Sequence, residues 1–177
     1  REYPVERLYR DNRLNHIHEG TWGIQGLDIL GRKVQMHNGA AVAILREEIQ
    51  ATIDSASAYP ELAGYCAQLT STMDQIEQTI AAVVACDNNS LALANATIFL
   101  DAMGHAVIAW MWLIQAVAAS AGAASGDSAD RDFYAGKLAA TGFFFRYELP
   151  KAKVSLELVA DLDSTCYDLT AEQFLGA

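Results

Sequence analysis

Hydrophobic residues recur along most of this chain at steps of three and four, the spacing that places them on one side of an α-helix. The clearest run alternates these steps without a break and consists of Leu62, Cys66, Leu69, Met73, Ile76, Ile80 and Val83. Such a run predicts a helix that packs one face against another helix. No stretch alternates polar and apolar residues as a β-strand would, so we predict an all-α fold, a helical bundle.

Turn-forming residues divide the rest of the chain into further helices. We predict these over about residues 5–18, from near Trp22 to residue 55, from Ser90 to about Ser120, and over about residues 131–161. Pro60 and the serines before it separate two helices, and Asp87–Ser90 is a turn whose side chains can cap the next helix. Pro150 lacks a backbone donor and should kink the last helix. A bundle of roughly four longer helices results.

The most apolar window is Ala106–Ala124, which approaches the length of a membrane span. It is rich in alanine, and no cationic residue stands close on either side to set an orientation in a bilayer. We therefore predict no membrane span. The window is instead expected to form the innermost helix of the bundle, apolar all round because other helices surround it.

Charge is distributed unevenly. Residues 1–50 hold seven Lys and Arg against seven Asp and Glu, whereas residues 51–177 hold five against fifteen, within a net charge of −10. Between Arg46 and Arg131 there is no cationic residue other than histidine. Such a stretch cannot present the basic surface that nucleic acid requires, so we predict no nucleic-acid binding.

The three cysteines, Cys66, Cys86 and Cys166, are far apart and form no Cys-x-x-Cys pair. Neither a disulfide framework nor a zinc cluster is indicated, and we expect a cytoplasmic or other reducing intracellular location. The first residues show neither an initiator Met nor a leader sequence, so we expect the chain to be part of a longer protein.

The segment Asn15–Trp22 concentrates two imidazoles, a carboxylate, a hydroxyl and an indole around Gly20. A metal site of His16, His18 and Glu19 is one interpretation, although residues two apart on a helix point in different directions. A second is an ordinary helix end with a glycine turn and a capping side chain. The third is a catalytic carboxylate on a turn where glycine lets a ligand approach the backbone. Local spacing alone leaves all three open.

A family resemblance favours the catalytic interpretation. Several separate elements agree in order and spacing with the last signature block of the acyl-CoA dehydrogenases. These elements are Tyr3-Pro4-Val5-Glu6, Arg10-Asp11 and Ile17-His18-Glu19-Gly20-Thr21. The segment Gly23–Lys33 resembles the run that leads, in one subgroup, into an extra C-terminal helical domain. That subgroup includes the methylthiopropanoyl-CoA dehydrogenases. The resemblance divides the chain into residues 1–34, the end of the dehydrogenase helical domain, and residues 35–177, a C-terminal helical bundle.

The resemblance implies the oxidation of an acyl-CoA thioester to its 2,3-enoyl form with FAD as cofactor. Glu19 matches the catalytic base that removes the proton at C2. By the same transfer the Gly20 backbone would lie beside the substrate, and the Thr21 hydroxyl near the phosphate–ribose part of the flavin. An electron-transfer flavoprotein is the expected electron acceptor, with a direct oxidase reaction as the alternative, and we expect a homo-oligomer.

Other polar residues have structural interpretations. We expect His105 to be a hydrogen-bonded core residue, and Trp110 and Trp112 to fill a core or an interface. Asp127, Asp130 and Asp132 should form a solvated loop and helix start.

A rival function belongs to a different class. Residues 35–177 would then be a non-catalytic module that mediates oligomer contacts or docks a partner, and Glu19 would only belong to a helix turn. If the catalytic interpretation holds, the isolated chain should be inactive and bind FAD weakly or not at all, because the family builds most of that site in other domains.

Overall fold

The computed structural model describes residues 4–16, 21–124 and 130–175, and every regular element in these ranges is helical. The predicted all-α fold is thereby confirmed. The α-helices, numbered in chain order, are α1 (Val5–Asn12), α2 (Thr21–Asp28), α3 (Ala40–Ala56), α4 (Ala63–Val84), α5 (Asn89–Ala92), α6 (Ala96–Ala124), α7 (Arg131–Phe143), α8 (Leu149–Ala160) and α9 (Ala171–Leu175). Shorter 3₁₀ turns cover Arg13–His16, Met36–Gly39 and Pro60–Leu62, and π turns cover Ile29–Lys33 and Phe144–Glu148.

Helix α6 is the centre of the bundle, because it contacts α2, α3, α4, α7 and α8. Its buried positions are dominated by alanine, with Phe99 and Leu113 as the large side chains. Four of these alanines are almost fully excluded from solvent: Ala102, Ala106, Ala109 and Ala116. A methyl side chain keeps the distance between helix axes short, so α6 can be packed from several directions at once.

We predicted that other helices surround α6 on every side, and this prediction is wrong for one side. Ile108, Met111 and Ile114 are exposed on α6. The described residues pack against the other sides of α6, and on this side a row of apolar residues is exposed. The helix also begins later than predicted, because residues 93–95 separate the short α5 from α6.

By length and composition, Asn89–Ala124 is the one stretch in the described part of the chain that could cross a membrane. Mostly buried core helices pass the same test. Here α6 packs against five other helices, and 33% of the apolar window is buried.

The run of apolar residues predicted as a helix–helix seam lies on α4 and in the turn before it. Leu69, Met73, Ile76 and Val83 are buried, as is Leu62 in the preceding 3₁₀ turn, and this confirms the predicted face. Helix α4 packs against α8.

Thr79 is a buried polar residue at this seam. Its hydroxyl lies 2.8 Å from the carbonyl oxygen of Gln75 and 3.3 Å from that of Leu156 on α8. The buried hydroxyl therefore has acceptors on both helices.

Two predicted helix boundaries have clear local causes. The Asn88 side chain accepts hydrogen bonds from the backbone N–H groups of Ser90 and Leu91, which caps α5 as the turn composition predicted. At the other end of the bundle, α7 passes through a π turn before α8, and Pro150 stands in the first turn of α8. Pro150 has no backbone N–H, and the first turn of a helix tolerates this loss. The predicted interruption is therefore confirmed, as a change from π turn to α-helix.

The junction between the π turn after α2 and the start of α3 has an unusual backbone. His37, Asn38 and Gly39 all have positive φ, at 51°, 58° and 81°. This left-handed region is costly for residues with a Cβ, least so for glycine and asparagine. The three residues reverse the chain tightly before α3 begins.

Val83 and Val84 provide a matched test of the core. Val83 is 3% exposed and belongs to the buried cluster, whereas its neighbour Val84 is 54% exposed. We expect Val83→Ala to lower the free energy of unfolding by about 2 kcal/mol, because two methyl groups leave a packed site. The free energy of unfolding is measured by urea denaturation.

Val84→Ala is the control and should change the free energy of unfolding by no more than about 0.5 kcal/mol. Equal losses for the two variants would contradict the assignment of this face to the core.

Candidate functional site

The N-terminal helix α1 is amphipathic, yet none of its residues is buried. Val5, Leu8 and Tyr9 are all largely exposed, and so is Leu14 in the following turn. Apolar side chains at helical spacing normally pack against a neighbouring element. In the described part of the chain, no element buries the apolar face of α1.

Glu19 and Gly20, the predicted base and substrate contact, lie outside the described residues, as does His18. Thr21 is described: it is the first residue of α2 and is half-buried. Trp22 follows it and is 58% exposed. The structure therefore positions the C-terminal end of the predicted catalytic segment, at the start of a helix.

Helix α2 is held against α6 by a close backbone contact. Gly26 is buried, and a Cβ placed on it would lie 2.8 Å from the carbonyl oxygen of Ala96. Leu30, one turn further on, is fully buried. Only glycine permits this approach, and through it the position of Thr21 is tied to the central helix.

Charged residues gather where α2 passes into its π turn. The Arg32 Nε donates to Asp28 Oδ1 at 2.5 Å, and Lys33 Nζ lies 3.3 Å from the other carboxylate oxygen. The hydrogen bond from Arg32 lowers the pKa of the Asp28 carboxyl below its usual value. Desolvation opposes this effect, and Lys33 makes a smaller contribution that also lowers the pKa. All three groups are close to solvent, so the cluster organises the surface of the turn and adds little stability.

An apolar groove opens beside this turn, between α3 and α6. It has a volume of about 410 Å³. Its apolar walls come from the π turn, α3 and α6 and include Ile29, Val34, Val42, Leu45, Met103 and Val107. We call this the α3–α6 groove. Among the described residues that line it, Lys33 alone has a charged side chain.

Sequence reasoning missed this groove, because its walls come from segments that are far apart in the chain, from Ile29 to Val107. One signal was available in α6, which carries a single Asp, Glu, Lys or Arg, namely Asp101. A helix without a polar face needs partners on all sides, and the neighbours found here leave one side open.

The residues expected to be structural have structural contacts. The Nδ1 of His105 lies 2.8 Å from the carbonyl oxygen of Asp101, and its Nε2 lies 3.9 Å from a carboxylate oxygen of Glu148. The indole N–H of Trp110 donates to the Thr52 hydroxyl at 2.7 Å, and Trp112 packs against the core. These observations confirm the hydrogen bond of His105 and the packing roles of both tryptophans.

Among the residues with described side chains, no three His, Cys, Asp or Glu groups are placed to hold a metal ion. The alternative built from His16, His18 and Glu19 falls outside that set. Asp130 and Asp132 are exposed at the start of α7, as expected, and Asp127 lies outside the described residues.

Comparison with protein families gives one match. The family described as acetyl-CoA dehydrogenase C-terminal like matches residues 45–170. The matched region extends from the middle of α3 to just before α9, so it contains the central helix and most of the bundle.

Two curated proteins are similar to nearly the whole chain. The broad-specificity linear acyl-CoA dehydrogenase FadE5 of Mycobacterium tuberculosis is 29% identical over 98% of this chain and 30% of its own length. The 3-methylmercaptopropionyl-CoA dehydrogenase of Ruegeria pomeroyi is 30% identical over 90% of this chain and 27% of its own length. The chain thus spans less than a third of the relatives that it matches.

Gly26 and Gly23 allow a matched test of how α2 is anchored. Both are in α2, but a Cβ on Gly23 would meet nothing within 4 Å. We expect Gly26→Ala to destabilise the packing of α2 by about 1–3 kcal/mol, because the added methyl overlaps the Ala96 carbonyl. Hydrogen exchange of the α2 amides should accelerate accordingly.

Gly23→Ala should leave exchange in α2 unchanged or slower, because alanine favours the helix by up to about 1 kcal/mol. Equal exchange in the two variants would mean that the Gly26 contact does not hold α2.

Proposed function

The chain belongs to the acyl-CoA dehydrogenase family, and from this membership we propose that it is the C-terminal part of a flavin-dependent enzyme that oxidises an acyl-CoA thioester to the 2,3-enoyl-CoA. The observation that carries the proposal is the family match over residues 45–170, which follows the Glu19-Gly20-Thr21 segment in the same chain. We refer to the longer enzyme as the parent protein.

Glu19 is the proposed base. Its carboxylate takes the proton from C2 of the acyl chain, and the electron pair of that C–H bond becomes the second bond between C2 and C3. The C3 hydrogen departs with its two electrons as hydride. FAD bound in the parent protein would supply the two-electron acceptor for this hydride, and an electron-transfer flavoprotein is the proposed oxidant of the reduced parent. Enclosure by an apolar acyl chain removes water from the carboxylate and makes it a stronger base.

Thr21 is the proposed flavin contact within this chain. It is half-buried in α2. Its hydroxyl can both donate and accept hydrogen bonds, which suits the phosphate–ribose part of FAD. The Gly20 backbone is the proposed neighbour of the substrate.

The remaining proposals concern the parent protein. Its substrates are acyl-CoA thioesters, and the names of the two relatives make linear acyl-CoAs and 3-methylmercaptopropionyl-CoA the first compounds to try. We also propose that the parent is a homo-oligomer in a reducing intracellular compartment.

Replacing Glu19 tests the proposed base. In the parent protein, titrated anaerobically with these thioesters, we expect the flavin absorbance to bleach. Glu19→Gln keeps the size of the side chain but removes its basicity, so the rate of bleaching should fall by at least about 10²-fold.

Glu47→Gln is the matched control, because it makes the same chemical change at an exposed position on α3. It should bleach at the unsubstituted rate. Normal bleaching by Glu19→Gln would refute the role of Glu19, and no bleaching of the unsubstituted parent by any thioester would favour the non-catalytic helical module.

Flavin binding by the isolated chain tests how the contacts to FAD are divided between this chain and the rest of the parent protein. If most contacts to FAD lie in the rest of the parent, this chain should retain no flavin after incubation with FAD and removal of the unbound cofactor. The measurement is the visible absorbance of flavin that stays with the chain. A stoichiometric flavin spectrum would overturn this division.

A further inference from the structure

A band of apolar side chains runs along the open side of α6 and the adjoining edge of α3. It consists of the α3–α6 groove together with the exposed residues Ile44, Ile108, Met111 and Ile114. Ile44 is 59% exposed and Ile108 is 48% exposed. Isolated apolar residues are common on protein surfaces, but a contiguous band of this kind marks an interaction site.

The band continues at both ends. Beyond Ile114 a second groove between α3 and α6 is lined by Val117, Ala51 and Ser55, among others. At the opposite end, Ile29 lines the α3–α6 groove, and Trp22 lies seven residues before it on α2. Residues seven apart share a helix face, so the exposed indole extends the band toward the predicted catalytic segment.

Few charges interrupt this surface. Helix α6 contributes no charged side chain to either groove, and the charged residues at the grooves are Lys33 at one end and Glu48 at the other. Depletion of charge at the centre with charged groups at the rim is the composition of a protein–protein interface core.

The position of the band indicates what covers it. Gly26 fixes α2 against α6, so Trp22 is held at the end of the band that adjoins Thr21. Whatever protein surrounds the catalytic segment must therefore lie next to this end. The matched relatives are more than three times as long as this chain, which leaves a large folded body to occupy that place.

We propose that this band is the surface on which the flavin-binding body of the parent enzyme docks, within the same polypeptide. The inference rests on the proposed function. It selects one face of the bundle, the open side of α6 with the edge of α3, and assigns the outer surface of α8, where Val154 is 67% exposed, to solvent.

Thiol labelling tests the proposal. Two single variants are made, Ile108→Cys in the band and Val154→Cys on α8. Each is made both in the isolated chain and in the parent protein. Labelling by a maleimide is followed by mass spectrometry of the peptides, which separates the new thiols from Cys66, Cys86 and Cys166. Burial raises the pKa of the Cys66 thiol, so that native site should react slowly.

Both new thiols should react readily in the isolated chain. In the parent, Ile108→Cys should react at least about tenfold more slowly, at a rate independent of protein concentration, while Val154→Cys reacts as before. Equal reactivity of Ile108→Cys in chain and parent would overturn the proposal. So would protection that is present in the isolated chain and grows with its concentration, since that would identify a second copy as the occupant.

Titration of the same parent variants with acyl-CoA separates this inference from the proposed function. An unprotected Ile108→Cys in a parent whose flavin bleaches would refute the docking surface and leave the enzyme activity standing. Protection in a parent that no thioester bleaches would refute the activity and leave an intramolecular interface.

Discussion

Close approach of helices to α6 is the constraint on which the rest of this structure depends. Alanines at Ala102, Ala106, Ala109 and Ala116 keep the central helix thin, and Gly26 lets the α2 backbone reach the Ala96 carbonyl. A larger side chain at any of these positions would have to displace a helix, because packed interiors have little room to absorb extra volume. The small residues thus set the positions of the surrounding helices, and with them the position of Thr21.

The composition of α6 also explains which parts of the fold could be predicted from the sequence. Helix α4 has one apolar face, so its period identified the buried residues correctly. Helix α6 has apolar residues on every side. The spacing of its apolar residues therefore cannot distinguish a side that is buried within the chain from a side that is exposed. Its exposed Ile108 and Met111 were therefore expected to be buried. The break before α6 was missed because the capping signal at Asn88 marks where a helix starts and carries no information on where it stops.

The candidate catalytic residues were identified from the sequence and not from the structure. The Glu19-Gly20-Thr21 motif was identified by resemblance, and chemistry alone had left metal, capping and catalytic interpretations open. The structure shows what no motif contains, namely the contact between α2 and α6 and the apolar band that adjoins it. Such a surface forms between segments far apart in the chain, so its parts are visible in the sequence only as separate helices.

Because Gly26 is held against α6, the number of residues between Gly26 and the catalytic segment determines the direction in which Thr21 points. Each residue of an α-helix advances the chain by 1.5 Å and turns it by about 100°. One residue inserted between Thr21 and Gly26 would swing Thr21 a quarter-turn or more around α2, although its chemistry would be intact. Insertions between Ala56 and Pro60, by contrast, would lengthen a connection without rotating α2. Length variation in related proteins should therefore concentrate in such connections and avoid the first two turns of α2.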